Sequence, residues 1–301
     1  MTAPRSQKPT VAFIGLGIMG SPMAANLCAA GLDVVGFSRT RAKVDALVSK
    51  GMRAADDVAS AVRGADVVIT MLPDSPDVES VALGSAGILA SATPGALFVD
   101  MSTIRPDTAR AVGVAAEKRG LRFLDAPVSG GEQAAVDGTL SIMVGATPLT
   151  FERIEPLLRH MASEVTHCGD AGAGQTVKIL NNMILFQTVV ALGEALSIAR
   201  AQGVDGKVLF ETLTKGSADS FALRNHGMKA MLPGVFPERA FSTEYALKDL
   251  GYAIELAERH GVPALGADVA RELMERAVEL GHGKEYWPVL LKAIEDATGK
   301  G

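Results

Sequence analysis

Three glycines, Gly15, Gly17 and Gly20, stand in the stretch VAFIGLGIMGSPMAANL, behind one apolar run and ahead of an Ala-rich segment. When such a GxGxxG follows a strand and opens a helix, each glycine has a use. The first permits a tight turn, the second lets the backbone approach a pyrophosphate, and the third packs helix on strand while the helix N-terminus faces the phosphates. The loop predicts a dinucleotide site. Past a second apolar run, where an NAD-specific loop places a carboxylate on the ribose 2′-hydroxyl, the chain has Ser38-Arg39-Thr40. A carboxylate repels a 2′-phosphate, whereas a hydroxyl and a guanidinium bind one, so this tail favours NADP, with NAD still usable. Arg39 and Arg41 as two solvated loop arginines is the alternative reading.

Two further constellations could handle a substrate. In Asp125-Ala-Pro-Val-Ser-Gly-Gly131 the residues Ser129, Gly130 and Gly131 offer a hydroxyl and accessible backbone N–H groups to a carboxylate, although an ordinary turn uses the same residues. A glycine loop from Gly169 to Gly174 then runs into a helix on which Lys178 and Asn182, four residues apart, share a face. Their neighbours Val177, Ile179, Leu180 and Met183 are apolar, which makes the pair polar islands on a mostly buried helix, in need of partners or a purpose.

The elements that must position these residues follow from periodicity. Short apolar runs at Val11–Ile14, Val34–Phe37, Val67–Met71 and Leu97–Val99 alternate with Ala-rich amphipathic stretches, the rhythm of βαβ units and a parallel sheet. Strands are also expected at Arg122–Leu124 and Leu140–Val144, with a helix from Leu149 to His160 behind the cap Thr147-Pro148. Beyond Gly169 only helices are expected: Gln175–Gly203, Lys207–Thr214, Thr243–Gly261 and Ala267–Gly281. The fold class is α/β, with an N-terminal Rossmann domain over residues 8–172, a long interdomain helix and an all-α domain over residues 173–301. The long helix is apolar on more than one face and should serve both domains and a second subunit, in a homodimer or homotetramer.

Composition narrows the classes. A chain of 301 residues, 48% hydrophobic and with net charge −5, has no global attraction for nucleic acid or an anionic membrane. Two cysteines, Cys28 and Cys168, are too few for a disulfide framework, and no Cys/His spacing suggests a metal. The segment MTAPRSQKPT lacks a signal-peptide pattern, and no stretch reads as long enough to cross a bilayer, so a cytoplasmic location is expected.

Six motifs in order resemble the β-hydroxyacid dehydrogenases. They are Gly15-Leu16-Gly17-Ile18-Met19-Gly20, Met71-Leu72-Pro73, Asp100-Met-Ser-Thr103, Asp125 to Gly131, Gly172-x-Gly174-x-x-x-Lys178-x-x-x-Asn182, and Lys248-Asp249-Leu250. The resemblance implies hydride transfer between a short 3-hydroxy acid and its semialdehyde, at a cleft between the two domains. It implies Lys178 as the catalytic lysine, Asn182 and the Ser129-Gly130-Gly131 turn on the substrate, Leu72-Pro73 and Thr103 beside the cofactor, and Lys248 reaching the cofactor. Hydride arrival at an aldehyde carbon charges its oxygen, which needs a proton and a nearby cation, and Lys178 could supply both. Tartronate semialdehyde and then methylmalonate semialdehyde are the expected substrates. The family's glyoxylate/succinic semialdehyde reductases share the Ser38-Arg39-Thr40 pattern. Imine reductases and a non-catalytic NADPH-binding reader are alternatives that should lack the lysine, and the related phosphogluconate dehydrogenases are much longer. Arg224, Asn225 and His226 are expected either to line a pocket or to lie in a solvated interhelical loop, and the Tyr286-Trp287 tail departs from the family pattern.

Overall fold

A computed structural model describes residues 8–238 and 240–297, which divide into a unit ending at Lys178 and one beginning at Ile179. The first unit carries β1 (Thr10–Ile14), β2 (Asp33–Phe37), β3 (Arg53–Ala54), β4 (Val67–Thr70), β5 (Leu97–Asp100), β6 (Arg122–Asp125), β7 (Val128–Ser129), β8 (Leu140–Gly145) and β9 (Ala162–Gly169). Its helices are α1 (Gly20–Ala29), α2 (Arg41–Val48), α3 (Val58–Val62), α4 (Ser75–Leu83), α5 (Ile88–Ser91), α6 (Pro106–Glu117), α7 (Gly131–Asp137) and α8 (Pro148–Leu158). The sheet order β3-β2-β1-β4-β5-β6 is the doubly wound order, with its switch point between β1 and β4. Alternation along β1 explains how both faces are covered. Val11 and Phe13 join the core on one side with Met23 and Leu27, while Ala12 and Ile14 join the other with Val68 and Phe98.

The expected parallel sheet changes character at Asp125. This residue pairs parallel with Asp100 and antiparallel with Gly145, and β7 continues the same antiparallel register against β8. The chain returns through the single short helix α7, too little for a parallel crossover. Strand β9, which sequence periodicity did not bring out, pairs with the free edge of β8; its Ser163, Glu164 and Thr166 carry no apolar alternation because little of it is covered.

The second unit holds most of α9 (Ala173–Ala201), followed by α10 (Gly206–Leu213), a π-helical segment (Leu223–Met231), α11 (Thr243–Arg259), α12 (Leu265–Ala277) and α13 (Leu291–Ala297). Its core centres on Phe186, Phe210, Met274 and Trp287, with the Trp287 ring edge-on to Phe186 at 4.8 Å. One expectation needs correcting: by length and composition α9 could cross a membrane. Phe186, Val189, Leu192 and Leu196 instead fill the core of this unit, so its apolar character has a use in packing.

Candidate active site

The loop after β1 folds as its glycines require. Gly15 has φ +100°, donates its N–H to the Phe37 carbonyl at 3.0 Å, and has no room for a side chain: a Cβ there would lie 2.3 Å from the Met71 carbonyl oxygen. A Cβ on Gly20 would lie 2.0 Å from the Gly15 carbonyl oxygen, so this contact needs glycine as well. Gly17 differs, with nothing within 4 Å of the position its Cβ would take. That open space beside the start of α1, whose N-cap residue Met19 makes no side-chain capping bond, suits a pyrophosphate. Leu16 is buried and Ile18 exposed in the same loop.

At the end of β2, Ser38 Oγ accepts the Thr40 N–H at 3.4 Å, and the largely exposed Arg39 has one loose ion pair, 3.6 Å from Asp77. Arg41 is differently placed, paired with Asp45 at 2.8 Å and Asp56 at 3.2 Å. After β4, Met71 N–H donates to the Ile14 carbonyl and Leu72 N–H to Ser102 Oγ at 2.8 Å, with Pro73 next in the chain. Thr103 follows β5. These loops all leave the carboxyl ends of parallel strands, where this fold class binds its ligands. Ser129 ends β7, paired across to Ser141, and Gly130 and Gly131 start α7 at φ 132° and 75°.

Lys178 and Asn182 are both buried on α9, while Val177, Leu180 and Ile184 are exposed. Lys178 and Asn182 are thus polar groups turned inward, while an apolar row on the same helix points out. Asn182 Nδ2 donates to Asp249 Oδ2 at 2.8 Å, and Lys248 Nζ stands 3.0 Å from Asp249 Oδ1. Asp249 therefore joins two residues that the sequence singled out separately. Its signal was legible in α11, where Thr243, Ala246, Asp249, Leu250 and Ala253 form the buried stripe and a carboxylate stands among small and apolar residues.

Three more residues of the first unit had no role assigned from the sequence. Asp100 Oδ1 accepts from Thr70 Oγ1 and Ser102 Oγ, each at 2.7 Å. Gln175, on the same helical stripe as Lys178 and Asn182, ties α9 to the loop after β5. Asp125 accepts the N–H groups of Gly172 at 2.6 Å and Gln175 at 2.7 Å, a carboxylate at the amino end of α9. Burial pushes Asp125 up to about 6 despite those bonds. Gly145 and Gly174 are small because a Cβ on either would fall within 3 Å of the Asp125 carboxylate.

The segment around Arg224 is no solvated loop. Arg224 pairs with Asp219 at 2.8 Å, Asn225 accepts from Lys229 at 2.8 Å, and His226 is buried with Nδ1 2.6 Å from the Tyr286 hydroxyl and its ring 5.0 Å from that of Trp287. The unexpected tail is thus the packing partner of His226.

Residues 10–169 match the family described as the NAD binding domain of 6-phosphogluconate dehydrogenase, and residues 172–292 match the one described as NAD-binding of NADP-dependent 3-hydroxyisobutyrate dehydrogenase. The chain is 43% identical over 256 residues to 3-hydroxyisobutyrate dehydrogenase of Pseudomonas aeruginosa, covering 82% of this chain and 85% of that one. It is 36% identical over 289 residues to 2-(hydroxymethyl)glutarate dehydrogenase of Eubacterium barkeri, covering 96% of each. Among solved structures it is similar to Mycobacterium tuberculosis 3-hydroxyisobutyrate dehydrogenase with L-serine, at 34% identity and a TM-score of 0.84, covering 96% of this chain and 99% of that one.

Proposed function

Because the chain belongs to the β-hydroxyacid dehydrogenase family and is an NAD(P)-dependent hydroxyacid dehydrogenase, we propose that it interconverts a 2-substituted 3-hydroxypropanoate and its semialdehyde, preferring NADP. The names of its relatives support the substrate class. 3-Hydroxyisobutyrate, 2-(hydroxymethyl)glutarate and L-serine are each a primary alcohol one carbon away from a carbon bearing a carboxylate, and they differ in the substituent on that carbon. Tartronate semialdehyde and methylmalonate semialdehyde fall in the same class.

One observation carries the reading: a buried lysine, Lys178, stands one helical turn before Asn182, whose amide is held by Asp249. When bound, the nicotinamide would supply or accept the hydride. Lys178 gives its proton to the oxygen as it gains charge on reduction and takes the hydroxyl proton on oxidation. Asn182 orients the reacting end, and Ser129, Gly130 and Gly131 hold the carboxylate. Gly15, Leu16, Gly17, Ile18, Met19 and Gly20 take the pyrophosphate, Ser38, Arg39 and Thr40 the 2′-phosphate, and Met71, Leu72, Pro73, Thr103 and Lys248 the rest of the cofactor. The protein acts as a homo-oligomer in the cytoplasm, a location its two unpaired cysteines favour.

Lys178→Ala should leave NADPH affinity near wild type while turnover falls by roughly 10²–10⁴. Turnover that survives with only a higher KM would reduce Lys178 to a binding residue. In a panel with NADPH, semialdehyde acids should exceed unsubstituted aldehydes and cyclic imines in kcat/KM; the reverse order would overturn the substrate class.

A further inference from the structure

Gln175 has no exposed surface, and both ends of its side-chain amide bond one short piece of backbone. Nε2 donates to the Ser102 carbonyl at 2.7 Å, and Oε1 accepts the Ile104 N–H at 3.0 Å. The residue bracketed between them is Thr103. A primary amide used this way makes the two-point contact of a neighbouring peptide group and fixes the loop in both position and orientation. The bracket is anchored at its base as well, because the Gln175 N–H donates to Asp125 Oδ2 at 2.7 Å and the Gly172 N–H to Oδ1 at 2.6 Å. At its far side Ser102 Oγ accepts the Leu72 N–H at 2.8 Å and donates to Asp100 Oδ1 at 2.7 Å. One line of hydrogen bonds therefore runs from Leu72 through Ser102 and Gln175 to Asp125. Lys178 lies three residues beyond Gln175 on α9.

We propose that Gln175 is a positioning residue for the reaction, its amide setting the separation between the Thr103 loop and Lys178. The proposal rests on Lys178 being the proton donor. The next side chain on α9, Thr176, spends its hydroxyl within the helix, on the Gly172 carbonyl at 2.8 Å. Gln175 reaches out of it, to a loop whose other contacts lead to Leu72. A misplacement of about 1 Å between reacting groups costs on the order of 10²-fold in rate, so a bracket of this kind acts on kcat without touching substrate.

Gln175→Glu is the informative variant. Its introduced carboxyl, when protonated, donates to the Ser102 carbonyl and keeps the bracket closed; when ionised, it sets an oxygen against that carbonyl and opens it. Relative to wild type at each pH, kcat should fall up to ~10²-fold as pH rises from about 5.5 to about 9.5, while KM for the semialdehyde and Kd for NADPH change less than ~3-fold. Gln175→Met, of similar length without hydrogen bonds, should show the loss at every pH. Thermal melts normalise for folded protein, and Gln175→Glu at the acid end keeps the test open if Gln175→Met does not fold. In a Lys178→Ala background either change should cost less than ~3-fold more, because the group being positioned is gone. Unchanged kcat in both folded variants, or losses that multiply fully in that background, would overturn the proposal. Full turnover in Lys178→Ala alone would instead remove the role of Lys178, a separate and distinguishable result.

Discussion

Asp100 and Asp125 are register partners at the carboxyl ends of β5 and β6, and neither is exposed. Asp100 Oδ2 is buried without a hydrogen bond. Burial, with a smaller contribution from the charge of Asp125, pushes Asp100 up to about 7 against the bonds from Thr70 and Ser102. The folded chain therefore keeps a proton that the unfolded chain releases near pH 4, so the associated stability is complete below about pH 4 and is lost as pH rises through about 7. Asp100→Asn removes that dependence. Its melting temperature should gain on wild type between about pH 4 and pH 8, by at most ~4 kcal/mol in stability, since each pKa unit is worth about 1.4 kcal/mol. A difference that stays constant with pH would refute the assignment.

His226 runs the other way. Burial, then the charge of Lys229, pushes it down to about 4, and its Nε2 is buried without a partner. The unfolded chain takes up a proton near pH 6.5 that the folded chain refuses until about 4, so this stability is present above about pH 6.5 and lost as pH falls toward 4. His226→Phe keeps a ring against Trp287 and titrates nothing. Its melts should be less acid-sensitive than wild type between about pH 6.5 and pH 4.5, by up to ~3 kcal/mol. Equal sensitivity would mean that His226 is solvated or paired when charged.

The sequence reveals what periodicity and glycine chemistry encode, and hides what depends on long-range partners. The alternation in Val11–Ile14, the turn at Gly15 and the helical spacing of Lys178 and Asn182 are local, and the doubly wound sheet and long helix were legible from them. Asp125 was visible as the start of a motif, yet its work is done on Gly172 and Gln175, about fifty residues on. Asp249 and Gln175 are ordinary polar residues until the fold brings Asn182 to one and Ser102 to the other. The π-helical segment carrying His226 looked like a loop because its order comes from Tyr286 and Trp287, sixty residues away.

The two glycines nearest the dinucleotide loop should separate stability from binding. Gly15→Ala puts a methyl on a backbone at φ +100°, against a carbonyl oxygen that cannot swing away, and should cost ~3 kcal/mol or more. Gly17→Ala meets no protein atom and should change stability by less than ~0.5 kcal/mol, yet weaken NADPH ~10-fold or more by filling the space a phosphate needs. Thermal melts and fluorescence titrations distinguish the two losses. If Gly17→Ala binds NADPH as wild type does, the pyrophosphate does not pass over Gly17.

Arg39 is held only loosely, with its side chain 82% exposed, and is available to a 2′-phosphate. A charge-assisted hydrogen bond of about 1.5–3 kcal/mol corresponds to a preference for NADPH over NADH of roughly tenfold or more. Arg39→Asp should reverse that order by repelling the phosphate and offering a carboxylate to the NADH ribose. Equal affinities in the wild type would leave Ser38, Arg39 and Thr40 without a part in cofactor choice.

Val177, Ile184, Ala191 and Ile198 recur every seventh residue along α9, and all four are exposed. Exposed apolar residues spaced in this way line one side of the helix, a surface that a second copy can cover. Such a row left in water carries no advantage to a monomer, and Glu194, three residues after Ala191 and four before Ile198, is the exposed charge on the same side of the helix. Ile184→Glu together with Ile198→Glu places like charges at two points of a two-fold seam, each opposite its own copy or a close neighbour. Light scattering at about 10 µM should show the wild type as a dimer or larger and the double variant smaller by at least a factor of two, with NADPH affinity retained because the changes lie outside the glycine loop. A wild type that runs as a monomer would remove the oligomer, whereas a double variant that stays assembled would move its interface off α9.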